Sequence, residues 1–283
     1  MELIIMIGRW AVQTLWASVL VAAAAGSVYA QQPTNTEAQP ATATDSQKQA
    51  REILMRMAQF LAKAPAFNVS LTSSYDAVQE SGQKIEFGER RKVVLSRPDR
   101  LRIEAERSDG SRTDVVFTGK EIVLVDLTNK VYATEPQPGG LDESIVHFVS
   151  DLGMRFPLAV LLMSRLPEEL EKRVRSIDYV EKTNLYGTPS HHLAARTDTV
   201  DFQIWVADGA QPVPLRAVVT YRNDPGQPAF RAMFIDWNFA PAITDATFTP
   251  QIPDGAKKIA FAAQLAAASR ATRKPGSNNG AKK

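Results

Sequence analysis

The sequence predicts a mainly β, α+β fold. It is a single antiparallel sheet of about eleven strands, strongly curved into an open barrel, with helices covering the concave face. Three observations predict it. Alternating apolar and polar runs recur from residue 67 to 239 with turn sequences between them. One stretch of helical apolar spacing, near 141–172, interrupts those runs midway. Strands such as Ile122 to Leu127 and Met233 to Phe239 are apolar on both faces, as expected of a sheet wrapped around a filling.

The chain begins with one arginine, Arg9, then an apolar core through Trp10, Leu15, Trp16, Val19, Leu20 and Val21, closing on Val28-Tyr29-Ala30. This is the pattern of an export signal at residues 1–30 cleaved after Ala30, the alternative being a retained anchor. Residues 31–45 are Thr, Ala, Pro and Gln with almost no large apolar side chains, and read as a disordered linker. Ser46, followed three residues later by Gln49, forms a capping-box pattern. Ala50, Ile53, Leu54, Met57, Leu61 and Ala64 then recur at helical spacing, predicting an amphipathic helix that ends before Pro65 and opens a folded domain at 46–261.

Period two takes over at Phe67, Val69, Leu71, Ser73 and Tyr75, and Ser81-Gly82 turns the chain into a run containing Ile85, Phe87, Val93 and Leu95. Strands follow at Leu101 to Arg107, Arg112 to Phe117, Glu121 to Leu127 and Val131 to Thr134, separated by turn residues such as Thr118-Gly119-Lys120. Pro136 to Gly140 breaks the sheet. Helical spacing over Asp142 to Leu152, a second apolar run from Leu158 to Met163 and a short helix from Pro167 then need a sheet face to bury against. Strands resume at Val174 to Tyr186, His191 to Arg196, Val200 to Val206, Leu215 to Arg222 and Phe230 to Phe239. Connections this short join antiparallel neighbours. Residues 262–283 read as a flexible basic tail.

Composition excludes several chemistries. With no cysteine, neither disulfides nor thiolate catalysis nor a cysteine-ligated metal operates. The 33 Lys and Arg against 31 Asp and Glu leave a net charge of +2, which argues against a nucleic-acid binder. Of three histidines, His191 and His192 are adjacent on one strand, so they point to opposite faces and do not jointly ligate a metal. A metal or acid-base site would combine one of them with Asp198 or Asp201, the ordinary alternative being a satisfied or exposed histidine, and His147 reads as a polar helix residue. Serine-nucleophile, His-Glu-x-x-His and phosphate-loop motifs are missing. Glu104 and Glu106 share a face with Arg102, which reads as a solvated outer face rather than a hydrolytic dyad; Arg90-Arg91-Lys92 reads as strand surface or edge protection.

What remains is apolar excess. Phe148, Met154, Phe156, Leu161, Leu162 and Met163 on the inserted segment, with Trp205, Phe234 and Trp237 on the later strands, are candidates for the wall of a ligand cavity. A dry, filled core would use the same residues.

Two segments resemble a known family. Val93-Val94-Leu95-Ser96-Arg97-Pro98-Asp99-Arg100-Leu101-Arg102, with the later Gly119-Lys120-Glu121-Ile122-Val123-Leu124-Val125-Asp126, is similar to the LolA/LolB-like periplasmic lipoprotein carriers. Ala246-Thr247-Phe248-Thr249-Pro250-Gln251-Ile252-Pro253-Asp254-Gly255-Ala256 resembles their closing signature. The chain looks most like a group of predicted periplasmic proteins in that superfamily. The resemblance implies an incomplete antiparallel barrel closed by helices over an apolar cavity, with Arg97 as the latch of a helical lid; pairing of Arg97 with Asp99 or another surface carboxylate is the alternative. The expected function is periplasmic binding or carriage of a hydrophobic ligand, such as an acyl chain, lipid or lipoprotein. An envelope sensor or assembly module of the same fold with a filled core is the second reading, and an exported hydrolase the third. No enzyme, cofactor or metal is expected. The expected partners are the hydrophobic ligand and a membrane surface or envelope protein, with no nucleic acid, and the chain is expected to be a monomer.

Overall fold

The computed structural model describes residues 44–261 and 264. The signal, nearly all of the linker and most of the basic tail therefore lie outside the described residues. The chain opens with helix α1 (Asp45–Lys63) and continues through β1 (Ala66–Val78), β2 (Lys84–Ser96), β3 (Arg100–Arg107), β4 (Arg112–Thr118), β5 (Glu121–Asp126) and β6 (Val131–Pro136). Helix α2 (Leu141–Val146), a π turn (His147–Asp151), a 3-10 turn (Ala159–Leu162) and helix α3 (Leu166–Arg173) interrupt the sheet. The rest is β7 (Ser176–Leu185), β8 (Thr188–Arg196), β9 (Val200–Ala207), β10 (Pro214–Tyr221), β11 (Ala229–Asn238), a 3-10 turn (Asp245–Phe248) and β12 (Lys257–Lys258). The short β12 was not foreseen from the sequence.

All twelve strands form one sheet in the order β12-β6-β5-β4-β3-β2-β1-β11-β10-β9-β8-β7. Two antiparallel meanders, β1 to β6 and β7 to β11, are joined by the pairing of β1 with β11, and only the β6–β12 pair is parallel. The sheet does not close: β7 is one edge, and β6 with β12 the other. The helical insertion connects β6 to β7, so it must pass from one edge of the open sheet to the other.

The N-cap of helix α1 is Thr44, two residues before the expected Ser46. The Thr44 hydroxyl accepts from the Gln47 backbone N–H and the Gln47 side chain accepts from the Thr44 N–H, so the capping box is Thr44/Gln47 rather than Ser46/Gln49. Both pairs have the same spacing, and the apolar stripe continues equally well from either, so spacing alone does not choose between two caps only two residues apart. The stripe of Ala50, Ile53, Leu54, Met57, Ala58 and Leu61 is buried, and α1 packs against β7, β8, β9 and α3. In the turn before β5, Gly119 has φ 86, and a Cβ there would stand 2.8 Å from an Asp99 carboxylate oxygen, so only glycine fits.

The outer face is less solvated than the sequence suggested. Residues 245–248 lie across β3 and β4, burying Phe248 and Asp114. Arg102 bridges Asp114 at 2.9 Å and Glu104 at 3.2 Å and donates to the Thr247 carbonyl at 3.2 Å. Asp114 is 2 % exposed, one of its oxygens is buried without a partner, and burial pushes its carboxyl up to about 6 against the pull of Arg102.

Candidate functional site: a cavity under the helical insertion

Cross-strand register stacks the inward side chains in layers. The lowest, Phe67, Leu95, Leu101, Phe117 and Ile122, is fully buried. Above it runs a second apolar layer of Val69, Val93, Ile103, Val115, Leu124 and Ala133. The third layer changes character, with Leu71, Arg91, Ala105, Thr113, Asp126 and Val131. The fourth is Ser73, Glu89 and Arg107; above that, Tyr75 stacks on Phe87 at 5.8 Å between ring centroids.

A cavity of about 620 Å³ opens at the level of the second and third layers. Ile103, Val115 and Leu124 form one wall, Phe202, Ile204 and Phe230 the opposite one, and the inserted segment the roof. Its volume lies within the range of small-molecule pockets, and its apolar walls with a few polar groups at one end match their usual chemistry.

The polar groups form a belt. Arg91 donates twice to Glu89, at 2.8 and 3.1 Å, and both side chains are largely shielded from water. Arg107 stands directly across from Glu89 in the register, and Arg155 reaches the mouth from the roof. Asp76 is held below its ordinary carboxyl value by the hydrogen bonds of Arg231, whereas burial raises the Tyr221 phenol, with the nearby Asp224 adding to the shift. Arg91 was expected at the strand surface or an edge. It faces inward because β2 lies between β1 and β3 and alternation places it with Val93 and Leu95, leaving Arg90 and Lys92 on the other face.

Two charged side chains fasten the insertion. The Arg97 guanidinium donates to the carbonyls of Leu162 at 3.0 Å, Ala64 at 3.1 Å and Leu61 at 3.4 Å. It thus joins the end of β2, the C-terminal end of α1 and the 3-10 turn of the roof. Burial lowers its pKa, opposed by the field of Asp142. The Asp142 carboxylate accepts from the backbone and hydroxyl of Ser164, both at 2.8 Å, and from the Arg165 N–H at 3.2 Å. It ties α2 to the start of α3, whose leading N–H groups have no intrahelical acceptor.

Of the ten residues singled out from sequence, Phe148, Met154, Phe156 and Leu161 line the cavity. Leu162 and Met163 do not; both are buried, with the Leu162 carbonyl serving Arg97. Trp205 faces the outer side, stacked on His192 with 4.0 Å between centroids and covered by Arg216, because alternation along β9 sends Phe202 and Ile204 inward. Phe234 and Trp237 belong to a packed aromatic cluster with Phe67 and Phe239, and the Trp237 indole donates to the Pro214 carbonyl at 3.0 Å. Sequence reasoning missed Arg91, Arg107, Arg155, Tyr221 and Phe202. Parity with Val93 and Leu95 was the available signal for Arg91, as parity with Ile204 was for Phe202.

The histidines assemble no site with Asp198 or Asp201, since Arg175 binds the first and Arg196 the second. His191 lies 3.1 Å from the Tyr179 hydroxyl and 3.2 Å from Asp208; His192 lies 3.0 Å from Gln203. Neither borders the cavity. Among the described residues there is no cluster of potential metal ligands, and no helix is long and apolar enough to cross a membrane.

No curated protein matches the sequence. Solved structures with related backbones include an uncharacterized conserved protein from Thermus thermophilus (13% identity, 75% of this chain and 99% of that one, TM-score 0.44). A LolA superfamily protein from Nitrosomonas europaea matches at 11% identity over 71% of this chain and 97% of its own, with a TM-score of 0.36. In the Pseudomonas aeruginosa MucA/MucB complex the matched chain is 16% identical over 72% of this chain and 61% of its own, TM-score 0.38. These likenesses are too distant to carry an argument about the site. At the level of sequence, residues 50–262 match the family described as predicted periplasmic protein (DUF2092), and the chain belongs to it.

Proposed function

We propose that this protein is a periplasmic, non-enzymatic binding or carrier protein for a hydrophobic ligand with an acyl chain. The observation that carries the reading is the 620 Å³ cavity between the apolar second layer of the sheet and the inserted segment. Each methylene transferred from water into such a space is worth about 0.8 kcal/mol, so a chain several carbons long gains useful affinity without any catalytic group. The family description as periplasmic and the export signal expected at residues 1–30 support the location. In this reading Arg97 holds the roof to α1 and β2, and its contact with the Leu162 carbonyl breaks when the ligand enters or leaves.

Native mass spectrometry of the protein purified from the periplasm tests the proposal. Adducts with masses of acyl lipids that dissociate on collisional activation are the expected result. A bare protein that also fails to take up a fluorescent fatty acid would overturn it and leave the envelope-interaction reading, with a core filled by its own side chains.

A further inference from the structure

The inference rests on the acyl-binding reading and concerns what the ligand carries at its other end. The apolar layers of the cavity give way abruptly to the Arg91–Glu89–Arg107 belt, so a chain lying among Ile103, Val115 and Leu124 has its head at the level of these charges. The acids on the cavity wall are already engaged; Asp224, outside that lining, keeps one buried oxygen without a hydrogen-bond partner and lies in the field of Arg155. Glu89 binds Arg91 through both oxygens, Asp76 binds Arg231, and Asp126 accepts from the Thr128 and Asn129 backbone and the Asn129 side chain.

Two arginines on the cavity wall are left over. Arg107 and Arg155 make no ion pair and no side-chain hydrogen bond among the described residues. Arg107 faces Glu89, whose oxygens are taken, and feels Asp126 and Asp109 only at longer range. Arg155 lies between Met154 and Phe156, both on the cavity wall, with Tyr221 and Asp224 as its charged or polar neighbours. Guanidinium groups offer planar forks of donors that match carboxylate and phosphate oxygens. A neutral head would leave these donors to water. We propose that the cavity selects acyl ligands with an anionic oxygen head, carboxylate or phosphate, received at the mouth by Arg107 and Arg155.

The test is displacement of Nile red, a neutral dye, from the full chain at pH 8 by oleic acid, oleoyl lysophosphatidic acid and oleyl alcohol. The wild-type protein should bind one or both acids at least about tenfold more tightly than the alcohol, the factor that one charge-assisted hydrogen bond supplies. In an R107Q/R155Q variant that ratio should fall towards one; R155Q alone, on an exposed segment, should reduce it if the double variant does not fold. Preference for the carboxylate alone or the phosphate alone identifies the class of head. Equal binding of acids and alcohol by the wild type, or an unchanged ratio in the folded variants, overturns the proposal while leaving acyl binding intact. Failure of all three amphiphiles to bind removes the acyl-binding reading itself, and this inference with it.

Discussion

Replacing Arg97 with methionine removes the fork that joins three segments while keeping most of the side-chain volume. Two of its bonds, to Leu162 at 3.0 Å and Ala64 at 3.1 Å, have good lengths; the third, to Leu61 at 3.4 Å, is marginal. Hydrogen bonds with a charged partner contribute about 1.5–3 kcal/mol each, and a cation at a helix C-terminus adds roughly 0.3–1 kcal/mol. Arg97 is only half-buried, so water recovers part of what the carbonyls lose. The expected loss is therefore about 3 kcal/mol, readable as a lower urea midpoint with an unchanged slope. Only the Leu162 bond crosses to the roof, so opening of residues 141–163 should become roughly ten to a hundred times more frequent, as amide exchange in that segment would report. Lysine at this position has three donors but no planar fork, and should restore part of the loss. A destabilisation under about 1 kcal/mol, or a loss of stability that leaves exchange of 141–163 unchanged, would refute the idea that this side chain holds the roof.

Other consequences are equally direct. Asp114, raised from 3.8 to about 6 by burial, favours folding in its protonated form: the contribution is fully present below about pH 4 and is lost as pH rises through 6. The shift corresponds to roughly 3 kcal/mol, so unfolding titrations should show stability falling between pH 4 and 7, and D114N should flatten that dependence. Asp142→Ala leaves two N–H groups and a hydroxyl without their acceptor, and should cost about 2–4 kcal/mol and expose the start of α3 to proteolysis. Ala105→Trp places a large side chain in the cavity between Arg91 and Thr113; fluorescent fatty-acid binding should be lost with the melting temperature kept, and intact binding would show that the ligand lies elsewhere.

Local information in the sequence determined the elements. Period-two runs marked eleven of the twelve strands, helical spacing marked α1 and the insertion, and short turns implied antiparallel neighbours, because these signals depend on residues a few positions apart. β12 escaped, since two exposed lysines carry no pattern and their place beside β6 depends on a distant strand. The same limit applied to the site. The aromatic and methionine content announced an apolar interior, yet which large residues bordered space and which packed solidly was decided by the facing elements: Trp205 lies outside and Trp237 is locked among other rings, whereas Phe202 borders the cavity. Arg91 sits in a basic run that reads as surface until β2 is known to lie between β1 and β3. The pairing of β1 with β11, about 160 residues apart, joins the two meanders and leaves β6 and β7 as the edges that the insertion spans. No local pattern encodes that pairing. It comes from burying both apolar faces at once, and it is what creates the cavity, the charged belt at its mouth and the position from which Arg97 reaches the roof.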